Sequence, residues 1–405
     1  MKFTIDAVEP EVVIPKDCDE LFIMRIEHIS LEQLQIISES NVIRLATSGM
    51  PEGLSKIFWK YIPSKLRKLE ISYSSIYNDG LYNMLRQGRI KHLSLEGVTL
   101  LGESNLDPFA REVLWPRLSS ISLNPCNTKA LCPLLTLCDN LTIVEMDSTT
   151  GCFLDKVNPI KFTYHISGDI IPKETLQAIS SMSRLNKLVI YGQNYTASEE
   201  LGACLAKLPF LEILHLCTKS ISNDCINRLE WHPIGQLTLG IPDDMKRLGE
   251  IACSFKLRSL QLIGAGEVDV SPLIYQLKHL DNPIDLTLNN MSLKSTDCIL
   301  DMIRENYPIE RLSLFTTNTR FEGLAEAFRS NTSIESFAIM LEYRTDGLEE
   351  LLEALTEMNA ILLTGLILTE RIVDILSRCV GEIYLGTARN EWSERVKDMP
   401  NVTLL

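Results

Sequence analysis

Apolar and polar residues alternate in short stretches that recur along almost the whole chain. In residues 66–85, LRKLEISYSSIYNDGLYNML, Leu69 and Ile71 alternate with polar neighbours, and an apolar run follows. A period of two over about five residues predicts a short strand with one buried face. Residues 211–229, LEILHLCTKSISNDCINRL, place their apolar residues in the same order. The two stretches therefore share a hydrophobic skeleton and little else.

The skeleton L-x-x-L-x-L returns at a mean interval of about 24 residues. Clear copies occupy 66–71, 90–95, 118–123, 141–146, 185–190, 211–216, 234–239, 257–262, 283–288, 309–314 and 334–339. Weaker copies occupy 363–368, 380–385 and 399–404, and further copies are expected at 159–166 and 42–47. Each copy predicts one strand of a repeating structure.

Between the copies, the apolar spacing changes from that of a strand to that of a helix. Examples are Leu201, Cys204, Leu205 and Leu208; Leu348, Leu351, Leu352 and Leu355; and Ile372, Ile375, Leu376 and Cys379. One strand and one helix of this size cannot bury their own apolar faces, so neighbouring repeats must stack. The pattern predicts a parallel sheet on one side of the stack and helices on the other.

These repeats, with the extension I-x-N-D-G-L at residues 76–81, resemble the leucine-rich repeat family over about residues 42–405. The resemblance implies an α/β solenoid, a horseshoe with a parallel concave sheet and convex helices, of the ribonuclease-inhibitor-like class. Asn or Asp is expected to cap each helix. The family usually places Asn or Cys three residues after the third apolar position. Only Cys126 fits this rule, and Ser74 takes the place in the first clear copy.

The repeats are expected to form one continuous array between two caps. We assign 1–41 to an N-terminal cap, with a strand at 21–26 and a helix at 31–37. The leucine-rich repeats span 42–390, and 391–405 form a C-terminal cap. An open solenoid end would expose its core, which is the physical reason for both caps. The least regular segment, 147–183, is expected to be a kink or an insertion.

Composition narrows the classes of function. Apolar residues make up 45% of the chain, enough for a large core. The net charge of −14 argues against general binding to nucleic acid or to anionic membranes, because both need clustered Lys and Arg. The N-terminus lacks the apolar core of a secretory signal, and no run approaches the roughly 18 apolar residues of a membrane helix.

The eleven cysteines are scattered singly, and no C-x-x-C occurs. Several stand where Leu or Ile would otherwise lie, so we interpret them as reduced, mostly buried apolar side chains. Reduced cysteines are typical of the cytoplasm, with the nucleus as a second possibility. The chain is therefore expected to be cytoplasmic or nuclear.

Motifs that would indicate catalysis are missing from the sequence. There is no G-x-x-x-x-G-K-[ST], no H-E-x-x-H and no G-x-S-x-G. The six histidines are dispersed without metal-ligand spacing, and Cys217 faces outward on its strand without a recognisable base. We predict a protein without enzymatic activity, without a cofactor or metal, and without an evident small-molecule substrate.

Residues 50–66, MPEGLSKIFWKYIPSKL, distantly resemble the start of an F-box. An F-box continues for about three helices, whereas a repeat strand is predicted to begin near Leu66. We interpret the segment as an ordinary repeat helix, with Leu54, Ile57, Phe58 and Tyr61 towards the core.

The resemblance implies recognition of a partner by the outward strand positions of the concave face. In this sequence the candidate positions are Glu70, Glu96, Glu145, Lys187, Tyr191, His215, Gln261, Asn289, Arg311, Phe315, Met340 and Tyr384. The N-terminal copies are acidic at these positions, whereas later copies carry aromatics and an arginine, which are common interface anchors. Tyr191, Phe315 and Tyr384 are expected to form an aromatic ridge.

Three functions follow, in order of preference. The first is a scaffold that binds a protein partner. The second is a GTPase activator similar to the Ran-activating proteins, although this sequence lacks their acidic tail and Asn-rich repeats. The third is a substrate-receptor subunit of a ubiquitin ligase, which rests on residues 50–66 alone.

Overall fold

A computed structural model describes most of the chain. The described residues are 1–9, 13–77, 79–81, 85, 89–102, 118–126, 138, 141–148, 154, 157–230, 232–254, 256–316, 323–341, 347–387 and 392–405. Contacts within the chain divide it into two compact units, Met1–Gly192 and Gln193–Leu405. The repeat pattern continues through both units, so periodicity alone does not mark this boundary.

The first unit is built from parallel strands. They are β1 (Lys2–Asp6), β2 (Glu20–Met24), β3 (Arg44–Ser48), β4 (Lys68–Ser72), β5 (Ser75–Tyr77), β6 (His92–Leu101), β7 (Ser120–Cys126), β8 (Ile143–Asp147), β9 (Lys161–His165) and the start of β10 (Lys187–Ala197). Consecutive strands pair side by side, except that β4 pairs with β6 and the short β5 lies beside the later part of β6. The helices are Leu31–Glu39, Glu52–Phe58 and Lys173–Ser180, with 3₁₀ turns at Ile26–His28 and Trp59–Tyr61.

The second unit repeats this plan. Its strands are β11 (Ile213–Ile221), β12 (Gln236–Leu239), β13 (Ser259–Ile263), β14 (Glu267–Val268), β15 (Ile284–Leu293), β16 (Ile309–Thr316), β17 (Ser336–Met340), β18 (Ala360–Leu366), β19 (Glu382–Thr387) and β20 (Val402–Leu404). They pair in parallel in this order, with β13 on β15 and β14 beside β15. The helices are Glu199–Leu205, Asn223–Arg228, Met245–Ser254, Ser271–Leu277, Asp297–Arg304, Leu324–Arg329, Leu348–Ala354, Glu370–Leu376 and Ser393–Lys397.

The strands from β1 to β19 bury alternating side chains, as a period of two requires, whereas β20 at the end of the sheet buries none. Leu69 and Ile71 are at most 1% exposed, whereas Lys68 and Glu70 are half-buried on the other face. The three apolar helical runs predicted from the sequence are buried as well, for example Leu201 and Leu205 at 0% exposure. The chain therefore has the predicted leucine-rich repeat solenoid fold, in which each strand-and-helix repeat buries its apolar residues against its neighbours.

The predicted strands at 42–47 and 159–166 are confirmed as β3 and β9, and the expected N-terminal helix is Leu31–Glu39. The copy predicted at 363–368 is in the wrong register, because β18 spans Ala360–Leu366. Consecutive apolar residues in AILLTGLIL fit two alternations equally well. Stacking decides between them, since Ile361 and Leu363 pair with the buried residues Ile383 and Leu385.

Helix capping differs in detail from the expected Asn or Asp. In residues 211–229, the side chain of Ser222 accepts a hydrogen bond from the backbone amide of Cys225, at 3.2 Å. A serine oxygen at this position satisfies one of the amides that a helix start leaves unpaired. In the first stretch Asn78 lies outside the described residues, and Leu81 is fully buried.

Backbone hydrogen bonds close many turns after the strands, where the family uses an Asn or Cys side chain. The amide of Leu341, for example, donates to the carbonyl of Thr364 in the next repeat, at 2.8 Å. Ser74, which departs from the family rule, nevertheless accepts from the amide of Met50 at 2.9 Å. The side chain of Cys126 lies outside the described residues.

Asparagine side chains link repeats at the opposite end of the strands, where a helix returns to the next strand. Asn331 donates to the carbonyl of Ile303 at 2.7 Å, one repeat earlier. Asn401 likewise donates to the carbonyls of Cys379 and Gly381, each at 3.0 Å. These bonds tie the turns of successive repeats together.

The segment 50–66 forms part of one repeat, in agreement with its interpretation as a repeat helix. The helix Glu52–Phe58 is followed by the 3₁₀ turn Trp59–Tyr61, and β4 begins soon afterwards. Phe58 is 1% exposed, but Leu54, Ile57 and Tyr61 are only half-buried. Trp59, which the helical spacing did not place in the core, is 9% exposed and packs edge-on against Phe58.

Candidate functional site

The outward-facing side chains of the strands line up in three rows, because neighbouring strands pair in register. We call them the first, middle and third rows, in the order in which each strand crosses them. In β4 these positions are Lys68, Glu70 and Ser72, which pair with His92, Ser94 and Glu96 of β6. All twelve predicted partner-binding residues lie on these rows. Glu70, Glu145, His215, Gln261 and Tyr384 are in the middle row; Glu96, Tyr191, Asn289, Phe315 and Met340 are in the third; Lys187 and Arg311 are in the first.

The acidic patch predicted in the first unit is largely neutralised by its neighbours. Glu70 meets Lys68 Nζ at 2.8 Å and the Arg44 guanidinium at 3.0 Å. Burial acts to raise the pKa of Glu70, but the hydrogen bonds from Lys68 and Arg44 outweigh it, and the pKa is lowered. Arg44 also pairs with Glu20 at 2.9 Å. This part of the sheet face therefore carries an ion-pair network rather than free carboxylates.

Glu96 lies at the edge of a cleft of about 410 Å³ across β2–β6. Its carboxylate accepts a hydrogen bond from the hydroxyl of Tyr73 at 2.9 Å. Tyr73 is 66% exposed and has a φ of 46°, a left-handed conformation that is uncommon outside glycine. Phe22 and Met24 line the same cleft.

Glu145 belongs to a second polar group on β8–β10. Its Oε1 lies 2.9 Å from Nε2 of His165, and this hydrogen bond lowers the pKa of Glu145. The ring of His165 stacks on Tyr191, with centroids 5.0 Å apart. Lys187 pairs in register with Lys161, so two like charges face each other on adjacent strands. Sequence alternation placed Tyr191 and Glu145 outward but did not indicate that His165 joins them.

The middle row of the second unit is polar at its start. His215 pairs in register with Thr238, whose hydroxyl donates to the side-chain oxygen of Gln261 at 3.4 Å. In the third row Asn289 pairs with Phe315 of β16, and both are half-buried.

Beyond them, β16–β19 enclose a cleft of about 360 Å³, which we call the β16–β19 cleft. Its floor consists of the short side chains of Ser336, Ala338 and Ala360 together with Leu362. Arg311 bounds it on β16, and Glu382 and Tyr384 bound it on β19. In the first row, Ser336 and Ala360 are shorter than Arg311 and Glu382 on the two flanking strands, and this difference contributes to the depression.

The two sides of the β16–β19 cleft carry opposite charges. Arg311 is 61% exposed, and its Nε lies 3.9 Å from Asp285, too far for a hydrogen bond. Glu382 accepts a hydrogen bond from the hydroxyl of Tyr384 at 2.7 Å, and this bond raises the pKa of Tyr384. The cleft therefore has a cationic side, an anionic side and a largely apolar floor.

The aromatic ridge predicted from the sequence is not a continuous row. Tyr191 belongs to the first unit, where it stacks on His165. In the second unit Phe315 lies in the third row of β16, and Tyr384 lies in the middle row of β19. Three strand spacings separate β16 from β19, or about 14 Å. Of the three aromatics, Tyr384 alone lines the β16–β19 cleft.

Leu362, Ala338 and Ala360 were missed as candidate surface residues. The wrong register at β18 concealed Leu362 and Ala360, because the predicted strand began at residue 363. Ala338 follows from the alternation in IESFAI, but a small side chain gives no sign of an interface. The signal that could have indicated Ala338 and Ala360 is the occurrence of short outward residues on two adjacent strands.

Two observations on the described part of the chain concern metal binding and the reactivity of Cys217. No three His, Cys, Asp or Glu side chains come together there as a metal site requires. Burial raises the pKa of the Cys217 thiol, whereas a nucleophilic thiol needs a lowered pKa. No helix within the described ranges is long and apolar enough to span a bilayer.

Two buried thiols give a test of the packing around the helices. Burial raises the pKa of Cys204 and of Cys225 to about 12. At pH 8 each would be ionised to only about 1 part in 10⁴. We expect iodoacetamide at pH 8 to leave both thiols unmodified in the native chain and to alkylate both in urea, as read by peptide mass spectrometry. Rapid alkylation of either thiol without denaturant would contradict this packing.

No family model matches the chain, and no curated protein matches it. Among solved structures the chain is similar to an internalin (InlF) from Listeria monocytogenes, at 14% identity and a TM-score of 0.38, over 89% of this chain and 90% of that one. It is also similar to the plant peptide hormone receptor RGFR1 in complex with RGF2, at 13% identity and a TM-score of 0.33, over 92% of this chain and 71% of the receptor chain. Both likenesses are too distant to support an argument about function.

Proposed function

We propose that the chain is a non-enzymatic leucine-rich repeat scaffold that binds a protein partner through the outward face of its sheet. The observation that carries this proposal is the β16–β19 cleft, where Ala338, Ala360 and Leu362 form an apolar floor between polar sides. An apolar surface rimmed by polar groups is typical of a protein-binding site. The helices that alternate with the strands also support the ribonuclease-inhibitor-like class of repeat.

The cleft has the composition of an interface centre. Tyr384 and Arg311 flank the floor, and both residue types are enriched among the residues that dominate binding energy. The ion-pair network around Glu70 and the hydrogen-bonded pair of Glu145 with His165 are more typical of an interface rim, because their polar groups already have partners within the chain. We therefore place the energetic centre of partner binding on β16–β19.

Leu362→Asp is expected to weaken partner binding at least about 30-fold, equivalent to about 2 kcal/mol. The substitution removes an apolar contact and places a carboxylate on the floor of the cleft. The measurement is affinity capture of a stoichiometric partner from native extract, followed by titration of the purified partner against both chains. Circular dichroism and a thermal melt establish that the variant is folded.

The matched control is Val380→Asp. Val380 is 79% exposed in the turn between the helix Glu370–Leu376 and β19, and it does not line the cleft. The control should bind the partner as the wild-type chain does. A partner that is retained by Leu362→Asp and lost by Val380→Asp would move the binding site from the sheet to the helix side.

A further inference from the structure

The β16–β19 cleft limits the chemistry of what it can bind. The guanidinium of Arg311 is only loosely paired, since Asp285 lies 3.9 Å away. Burial raises the pKa of Asp285 despite the nearby guanidinium. A tightly bound carboxylate would have a lowered pKa instead. Arg311 therefore retains N–H donors for a carboxylate on a partner, which can bind a guanidinium through two parallel hydrogen bonds.

The opposite side of the cleft favours a cation. Glu382 is exposed, and its hydrogen bond from the hydroxyl of Tyr384 fixes the carboxylate on the β19 side. Among the described residues, no Lys, Arg or His lies within 4 Å of the Glu382 carboxylate. A partner carboxylate would be repelled here, whereas a Lys or Arg side chain would form an ion pair.

The distance between the two charges sets the spacing within the partner. Arg311 and Glu382 occupy the same row, with β17 and β18 between them, so about 14 Å separates their strands. An extended peptide advances about 3.4 Å per residue, so four residues cover this distance. Residues i, i+2 and i+4 of an extended segment point to the same side, which places residue i+2 between Ser336 and Ala360 of the first row, beside Ala338 and Leu362 of the middle row.

We propose that the β16–β19 cleft binds an extended peptide segment with an acidic and a basic residue four positions apart and an apolar residue midway between them. The acidic residue contacts Arg311, the apolar residue packs on Ala338, Ala360 and Leu362, and the basic residue contacts Glu382. This inference rests on the proposed function and is more specific, because a protein partner could also use the apolar floor without this pattern of charge.

The test uses a phage-displayed library of random linear 12-residue peptides, selected against the full chain. We expect the enriched peptides to share the acidic–apolar–basic spacing. A chain with both sides acidic, Arg311→Glu, should instead enrich peptides with two basic residues four positions apart around the apolar residue, whichever direction the peptide takes. A synthetic peptide from the wild-type selection should bind Arg311→Glu at least about 10-fold more weakly, as measured by fluorescence polarisation.

Two further variants show where the peptides bind. Ala360→Arg fills the floor of the cleft and should abolish binding. Lys278→Glu is the control for Arg311→Glu, because it also replaces a cation with a carboxylate, but just after the helix Ser271–Leu277. It should leave binding unchanged. A folded Ala360→Arg chain that still binds the peptides would overturn the proposal.

Other outcomes also decide the matter. Peptides that need the open floor but share no charge spacing would overturn this inference and leave the scaffold function standing. A selection with no enriched peptide would overturn it as well. A dimer of the chain that Ala360→Arg converts to a monomer would assign the cleft to a second copy instead. The proposed use of the sheet face by a protein partner fails separately, if a captured partner is insensitive to Leu362→Asp.

Discussion

Phe337→Ala is expected to destabilise the second unit by about 3–5 kcal/mol. Phe337 is 1% exposed on the inner face of β17, and its ring centroid lies 4.7 Å from that of Phe328 in the preceding helix. The smaller side chain would remove this aromatic contact and leave a cavity between two repeats. Because each repeat packs mainly on its neighbours, the loss should be greatest around β16–β18.

Urea unfolding monitored by circular dichroism measures the loss, and hydrogen exchange locates it. The control is Phe210→Ala, because Phe210 is 65% exposed in the same unit. We expect the control to change the free energy of unfolding by no more than about 0.5 kcal/mol. A similar loss of unfolding free energy in both variants would contradict the burial of Phe337, and with it the register of β17.

Gly381→Ala is expected to cost about 3 kcal/mol, at the upper end of the usual range for overpacking. A methyl group at this position would lie far inside van der Waals contact of the carbonyl oxygens of Met358 and Asn359, in the turn of the preceding repeat. Those atoms belong to the backbone and cannot move aside as a flexible side chain would. Asn401 also donates to the carbonyl of Gly381, which restrains the turn from the following repeat.

A thermal melt should therefore show a decrease of about 10 °C for a unit of this size. Gly53→Ala is the control, because nothing lies within 4 Å of the added methyl group and the residue is helical. This change should be neutral or should stabilise the helix by up to about 1 kcal/mol. A melting temperature for Gly381→Ala equal to that of the wild-type chain would contradict the close stacking of these turns.

Most of the strands were predictable because their signal is local. Leu69 and Ile71 face the core for the same reason that any period-two apolar stretch does, and stacking supplies the partner surface. The prediction failed in register at β18, where Ile361, Leu362 and Leu363 allow two alternations. It also missed β1, because KFTID has only two core-type apolar residues and none of the leucines of the repeat.

The candidate site was only half predictable. Alternation places Arg311 and Tyr384 on the outward face, and the structure agrees. The cleft depends instead on short side chains of two neighbouring strands, Ala338 and Ala360, which are 22 positions apart in the chain. Their adjacency follows from the pairing register, which a weak repeat does not fix. For the same reason His165 was not connected with Tyr191 or Glu145.

The most direct test of the account is hydroxyl-radical footprinting of the chain with and without its captured partner. The account predicts that the partner slows the oxidation of Met340, Leu362 and Tyr384 on the sheet face. Tyr275, which is 43% exposed in the helix Ser271–Leu277, should be oxidised at an unchanged rate. Protection of Tyr275, with no change at the three sheet residues, would show that the partner binds the helices and would contradict the central claim.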